Sequence, residues 1–456
     1  MQKTITPIDN TIYVEREYHS TKIEETIDNS MKAQKEWANL NVNERVKLLK
    51  NFVEDFLSKG DVVGEELTRQ IGRPISQAAG ELNGFKERAD YMLSIAETKL
   101  ANINVSKDNN FKSFIKRRAL GIVFVIAPWN YPYMTAINTV APALIAGNTV
   151  VLKHASQTLL VGERMAAAFQ AAGIPEAVFQ NVFLDHATTS ALIAANSFGF
   201  VNFTGSVSGG RAMEHAAAGT FTGLGLELGG KDPGYVMEDA DLDAAAETLI
   251  DGAMFNSGQC CCGIERIYVS EALYKPFVEK AVEIVSGYQL GNPLDPDTTL
   301  GPMAHLRFAD EVRAQTAEAC ADGAKALIDP ALFPNDDGAY LMPQILTDVD
   351  HTMRAMRDES FGPLVGIMKV KDDAEAVALM NDSNFGLTAA LWTQDYARAE
   401  AIADEIDTGT VFTNRCDYLD PALCWTGCKD TGRGGGLSQI GFHNLTRPKS
   451  YHMKKA

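Results

Sequence analysis

Residues 121–132 read GIVFVIAPWNYP, and this stretch sets the fold. Every residue from Ile122 to Ala127 is apolar. A run this short, opened by Gly and closed by Pro, predicts a strand buried on both faces, as in a parallel sheet. The pattern repeats downstream. The helical segment TAINTVAPALIA (135–146) leads to a second strand, GNTVVLKH (147–154), and a helix over 158–172 leads to a third, VFQNVFL (178–184). The short helix TSALIAA (189–195) precedes a fourth strand, FGFVNFTGS (198–206), and a helix over 209–218 precedes a fifth, TGLGLELGG (222–230). Strands alternating with helices imply right-handed crossovers and a Rossmann-like α/β domain.

Working outward, residues 21–100 carry helical periodicity with many charges and read as surface helices packed on that core. FKSFIKRR (111–118) alternates like an exposed strand, and the tail RPKSYHMKKA (447–456) alternates like an edge strand. After Gly230 a second α/β region begins. Its helix DLDAAAETLIDGAMFNSG (241–258) runs into three consecutive cysteines, the strand ERIYVS (265–270) follows, and alternation continues to about 430.

A chain of 456 residues suffices for two or three domains with a large core. The formal charge of -18 argues against nucleic acid and against anionic membrane surfaces as partners. Seven cysteines, odd in number and clustered, point to reduced thiols and a cytoplasmic setting. The N-terminus has no apolar signal core, and no window holds eighteen consecutive apolar residues, so no membrane span is expected.

Four segments carry the chemistry. The first is the thiol run Cys260-Cys261-Cys262 after Gly258-Gln259. Metal clips usually space their cysteines two to four residues apart, so adjacent thiols make a poor metal site and none is assigned. A nucleophile remains, set against the commoner role of cysteine as a small buried hydrophobe. The second is LELGGKDP, where Glu227 stands among Leu and Gly. Burial would raise its pKa and suit a general base; a structural carboxylate bonded to backbone amides fits the segment equally. The third is APWNYP, with Asn130 just past a buried strand, where an amide can hold a developing oxyanion or simply make a turn. The fourth is FTGSVSGGR, whose Gly205-Ser206 ends a strand and whose Gly209-Gly210 opens a helix, a weak phosphate-binding signal because the spacing is not GxGxxG.

Together, and in this order, the four resemble the aldehyde dehydrogenase family over about residues 20–450. The family's G-Q-x-C followed by Arg maps to Gly258, Gln259, Cys261 and Arg266, which selects the middle thiol. E-L-G-G maps to Glu227–Gly230, 34 positions before Cys261 (261 − 227), a spacing typical of hydrolytic members. P-W-N maps to Pro128, Trp129 and Asn130, and E-x-F-G-P to Glu359, Phe361, Gly362 and Pro363. The resemblance implies an NAD(P)-dependent oxidation of a small-molecule aldehyde to its acid. Cys261 would be the nucleophile, Asn130 the oxyanion donor and Glu227 the base for thioester hydrolysis. NAD or NADP would be held by Ala127, Pro128, Trp129, Lys153, Ser156, Gly205, Ser206, Gly210, Leu228, Glu359 and Phe361. The substrate pocket would include Tyr131, Met134, Asn138, Cys260, Cys262 and Trp425.

The implied domains are a cofactor domain (1–104 and 121–229), a catalytic domain (230–430) and a β-strand oligomerisation arm (105–120 and 440–456) serving a homodimer or homotetramer. The chain also departs from the family. The usual acid after the cofactor strand is Ser156, which removes repulsion of a 2′-phosphate and leaves room for dual cofactor use. The Lys and Glu that serve some members as a proton relay are Thr139 and Gly436. Asn138 stands where semialdehyde enzymes often place a cation, so the motif supplies no carboxylate clamp. Asp417-Tyr418-Leu419-Asp420 before Trp425 is acidic and aromatic, a setting for a cationic aldehyde or a solvated entrance loop. Semialdehyde, aminoaldehyde and betaine aldehyde all stay open as substrates. A CoA-acylating enzyme, a non-phosphorylating glyceraldehyde-3-phosphate type and a non-catalytic relative are the alternatives; the first normally lacks the Glu, and the last can lose Cys or Glu.

Overall fold

Each apolar run of the first half becomes a strand of one sheet in the computed structural model, which describes residues 1–107 and 109–455. Asp108 and Ala456, which fall within the expected arm segments, lie outside the described residues. The sheet runs in the order Gly432–Arg433, Gly223–Glu227, Phe200–Thr204, Ile122–Ala127, Thr149–His154, Phe179–Asn181. Its strands are parallel except Gly432–Arg433, which pairs antiparallel with Gly223–Glu227. From Ile122–Ala127 the chain first builds outward to one side, then returns to build on the other from Phe200–Thr204. That pair is the topological switch point, beyond whose strand ends a ligand crevice opens.

The charged N-terminal segment forms four helices, Ile23–Asn39, Val42–Leu57, Gly60–Ile71 and Ala78–Lys99. A capping box between Asn41 and Glu44 starts the second, satisfying backbone donors that helix geometry leaves unpaired. The apolar faces of these helices cover the sheet: Trp37, Phe52, Phe56 and Phe85 enter one core with Ile137, Leu144 and Val150. Phe52 stacks on Phe169 at 3.7 Å between ring centroids. Losing a buried Phe of this kind costs about 3–5 kcal/mol.

The second half builds a seven-stranded sheet, in the order Lys325–Ala326, Gln344–Thr347, Leu364–Val370, Ile264–Ser270, Asp232–Val236, Thr388–Trp392, Thr410–Thr413. It is parallel apart from its first strand. A third sheet stands apart from both: Phe111–Ala119 lies between Ile103–Asn104 and Thr446–Lys454, antiparallel to each. Phe114 stacks on Tyr451 at 4.5 Å and Phe111 on His452 at 4.7 Å. The terminal strand, expected in 447–456, spans Thr446–Lys454, and it follows the helix Ser438–Asn444, whose Phe442 is fully buried in the main core.

Candidate active site

The three cysteines sit on a turn that ordinary side chains adopt reluctantly. Helix Leu242–Met254 stops, and Asn256, Ser257 and Gly258 follow with φ of 54°, 54° and 70°. A side chain at Gly258 would collide with the Gly362 carbonyl. Two consecutive non-glycine residues in left-handed conformation cost of order 1–3 kcal/mol each unless their surroundings hold them. Here they are held. The Ser257 hydroxyl donates to Gly301 O (2.8 Å), the Asn256 amide to Gln259 O (3.2 Å), and Gln259 Oε1 accepts from Ala304 N (2.8 Å).

The three thiols differ in burial. Cys260 and Cys262 are buried with their sulfurs 3.5 Å apart, and both donate to Asp417 Oδ1, at 3.4 and 3.0 Å. Cys261 is half-buried and lines a cavity of about 730 Å³. The flanking thiols, Cys260 foremost and then Cys262, lower its pKa, while Cys260 and Cys262 themselves are pushed up. Cys261 is therefore the thiol of the triplet that ionises most readily, a property a nucleophile needs.

Asn130 faces the same cavity, 6% exposed, with Nδ2 donating to Gln259 O at 3.1 Å and one amide hydrogen left over. A buried ion pair fixes it: Arg73 Nη1 meets Glu81 Oε2 at 2.8 Å, and Arg73 also donates to the Asn130 carbonyl and to Asn256 Oδ1. The other Glu81 oxygen accepts from Tyr133 N and Met134 N, both at 2.9 Å, at the start of helix Pro132–Ile145. A carboxylate at a helix N-terminus satisfies free donors and complements the dipole. Arg73 and Glu81 thus tie the Asn130 strand end to the cysteine turn. Sequence reading missed both, since nothing in a charged helical stretch marks two of its members as buried.

Glu227 ends its strand at the cavity wall, and Thr204 Oγ1 donates to it at 3.3 Å. Burial pushes its pKa from 4.5 up to about 7, against the Thr204 hydrogen bond and the Arg88 charge. Behind it, Thr139, Arg433, Gly435, Gly436 and Asn444 line a cavity of about 20 Å³ that also touches Glu227. A cavity of about 10–15 Å³ or more with polar walls holds one water.

Arg88, on helix Ala78–Lys99, is the second group that sequence reading did not find. Its Nη1 donates to Met134 O (3.1 Å) and Asn138 Oδ1 (3.4 Å), and it lines the cavity without forming an ion pair among the described residues. Burial lowers its pKa, with Glu81, Cys262, Glu227 and Cys261 opposing that shift. Its signal in the sequence was only a basic residue in a helix that also buries Phe85 and Ala89.

The cavity continues past Pro128 and Trp129 to Gly205, Ser206, Leu228, Glu359 and Phe361, so it crosses the switch point. Ser206 caps helix Val207–Ala217, accepting from Gly209 N at 3.2 Å. The Glu359 carboxylate accepts from Gly230 N (2.9 Å), and burial, then the Glu265 charge, pushes it up to about 8. Glu265 in turn bonds Ser360 N, Phe361 N and Lys231 Nζ, which fixes this segment, and Trp129 meets the Phe361 ring edge-on at 5.6 Å. Tyr131, Met134, Asn138, Cys260, Cys262 and Trp425 all line the cavity as well.

Four expected cofactor residues lie off this wall. Ala127 is buried at its strand end, and Gly210 is buried where a Cβ would strike Leu228, so it allows helix and strand to pack closely. Lys153 is buried at the end of the neighbouring strand, its pKa lowered by that burial, and Ser156 starts the next turn. Arg266, the last residue of the cysteine motif, is 1% exposed and clamps the carbonyls of Lys231 and Met380.

The model of the aldehyde dehydrogenase family matches residues 2–451. The chain is 31% identical over 411 residues to a succinate semialdehyde dehydrogenase [NAD(P)+] of Escherichia coli, covering 90% of this chain and 88% of that one. It is 30% identical over 435 residues to betaine aldehyde dehydrogenase 1 of Rhizobium meliloti, covering 94% and 89%. A solved succinic semialdehyde dehydrogenase from Streptococcus pyogenes, in complex with NADP+, superposes with a TM-score of 0.93 at 27% identity, over 100% of both chains. The chain belongs to the aldehyde dehydrogenase family, NAD(P)-dependent oxidoreductases that act on aldehydes.

Proposed function

We propose that this protein oxidises an aldehyde bearing a distal carboxylate to the corresponding dicarboxylic acid, with Cys261 as nucleophile and Glu227 as base. The observation that carries the substrate class is Arg88, a guanidinium in the cavity with no ion pair among the described residues. A buried cation with no carboxylate in direct contact is costly, and an anionic substrate group lowers that cost. The relatives named for succinate semialdehyde support the same class.

The residues divide the work. The Cys261 thiolate adds to the aldehyde carbon, and the free amide hydrogen of Asn130 stabilises the oxyanion, a contribution of roughly 3 kcal/mol. Bound in the crevice, NAD(P) supplies the acceptor for the electron pair of the aldehyde C–H bond. The groups present suit such a dinucleotide: the capped helix N-terminus at Ser206 would offer N–H donors to phosphate, the Glu359 carboxylate would accept from ribose hydroxyls, and Lys153 has no ion pair among the described residues. Ser156 offers no carboxylate to repel a 2′-phosphate, so both NAD and NADP are substrates in this reading. Glu227, ionised above about pH 7, takes a proton from the water that hydrolyses the Cys261 thioester. A water in the 20 Å³ cavity between Glu227 and Thr139 fills the place of the missing Lys/Glu relay.

The stacked rings of the arm sheet, and the place of Thr446–Lys454 at its edge with no further strand partner among the described residues, support a homodimer or homotetramer joined through that strand. The test of function is NAD(P)H absorbance with succinate semialdehyde, hexanal, aminobutyraldehyde and betaine aldehyde. The carboxylated aldehyde should have the highest kcat/KM. Preference for a cationic aldehyde would instead assign the specificity to Tyr131, Tyr418 and Trp425. Acyl-CoA production would overturn the hydrolytic role of Glu227.

A further inference from the structure

The mechanism leaves one cluster unused. Cys260 Sγ, Cys262 Sγ and Asp417 Oδ1 converge on one point at the cavity wall, all three within 4.8 Å of one another. The two thiols come from the cysteine turn and the carboxylate from a separate loop, where Asp417 is held at φ 51°. Spacing alone counts against two cysteines in a Cys-x-Cys run as a metal clip. The fold changes that, because it brings the sulfurs of residues 260 and 262 to 3.5 Å from each other and sets both against Asp417 Oδ1.

We propose that Cys260, Cys262 and Asp417 form a three-ligand site for a thiophilic divalent cation such as Zn²⁺ or Cd²⁺, whose fourth position opens into the substrate cavity. Tetrahedral zinc with two sulfurs at about 2.3 Å and one oxygen at about 2.1 Å sets S···S near 3.8 Å and S···O near 3.6 Å. The observed separations are 3.5 Å for the sulfurs and 3.4 and 3.0 Å for sulfur to oxygen. Rotations about the side chains of about half an ångström at the ligand atoms open the cluster to the required size. Two thiolates and one carboxylate form a soft, anionic donor set that favours such ions over Mg²⁺ or Ca²⁺. Tyr131 adds a second feature: its buried hydroxyl has no hydrogen-bond partner among the described residues, and Cys260, Asp417 and Cys262 are among the charges that act on it. Each thiol releases its proton to solvent as its sulfur–metal bond forms, so no oxidant or reductant takes part. The metal shares the cavity with the aldehyde and leaves the Ser206 end free, so it acts as a reversible inhibitor that competes with aldehyde and not with cofactor.

The test is titration of the reduced full-length protein with Co²⁺, read by sulfur-to-cobalt charge-transfer absorption and tetrahedral d–d bands, followed by Zn²⁺ displacement. One equivalent should bind with both signatures. The near-isosteric variants Cys260→Ser, Cys262→Ser and Asp417→Asn should each weaken binding by more than about 100-fold, beyond what loss of an outer-shell partner usually costs. Cys261→Ala and Cys320→Ser should bind as the parent does. Absence of the thiolate band, or binding that survives Asp417→Asn but is lost in Cys261→Ala, overturns the site. The readout is independent of turnover, so it stands or falls separately from the proposed reaction.

Discussion

Replacing Arg88 by Met tests the substrate assignment and the electrostatics of the base at once. The side chain touches Met134 O and Asn138 Oδ1 and faces the cavity, so Met keeps its bulk and removes its charge. A charge-assisted hydrogen bond contributes about 1.5–3 kcal/mol, and truncating one partner of a buried charge pair costs about 2–5 kcal/mol. At about 1.4 kcal/mol per tenfold, kcat/KM for succinate semialdehyde should fall roughly 30-fold or more. Hexanal, which has no carboxylate, should lose less than about threefold. The same change acts on Glu227. Arg88 lowers the pKa of that carboxylate, so its removal raises it above about 7. The base must be ionised to work, and the acidic limb of the kcat profile should therefore move to higher pH with either aldehyde. Steady-state assays at pH 9, above the limb, isolate the specificity effect; a profile from pH 5 to 9 reads the shift. Equal losses for the two aldehydes at pH 9 would refute the clamp. An unmoved limb would refute the electrostatic link to Glu227.

Cys261→Ala should abolish oxidation, whereas Glu227→Gln should give a burst of NAD(P)H followed by slow turnover, seen by stopped-flow absorbance; full steady-state turnover in the Gln variant would remove Glu227 from the role of base. Because burial raises the Glu227 pKa from 4.5 to about 7, folding disfavours its ionisation, and the stability present below pH 4.5 is lost as pH rises to about 7. Glu227→Gln should therefore gain stability relative to the parent between pH 5 and 8, by up to about 3 kcal/mol, which melting curves at the two pH values will show. Glu81→Gln leaves Arg73 buried without its counter-charge and should cost about 3–5 kcal/mol by denaturant titration, with a loss of Asn130 alignment and kcat. Ser156→Glu should depress kcat/KM for NADP at least tenfold and spare NAD; no change would place Ser156 away from the 2′-phosphate.

The alternation of Ile122–Ala127, Thr149–His154 and their successors was legible because strands buried on both faces must be apolar throughout, and short apolar runs have few other uses. The line of residues from Asn130 to Glu359 was legible through family motifs, which carry backbone geometry that local chemistry alone does not. Arg73, Glu81 and Arg88 were not. Each is a charged residue in a segment that looks solvated, and each is drawn into the site only by contacts with a distant segment. Arg266 shows the converse: a motif residue beside the nucleophile that holds backbone carbonyls and not substrate.

The pairing of Glu227 with Gly432 has a consequence for how the molecule is made. The strand that ends in Glu227 receives its last neighbour about 200 residues later in the chain, after the whole second sheet has been translated. At roughly 5–20 residues per second, the nascent first sheet waits about 10–40 s with that edge unpaired. The strand Phe111–Ala119 waits longer still, until Thr446–Lys454 leaves the ribosome. An open edge over such a period is a template for mispairing with other chains. Yield in a cell should therefore respond to chaperone supply and to translation speed, and removing the last residues of the chain should harm the half of the protein made first.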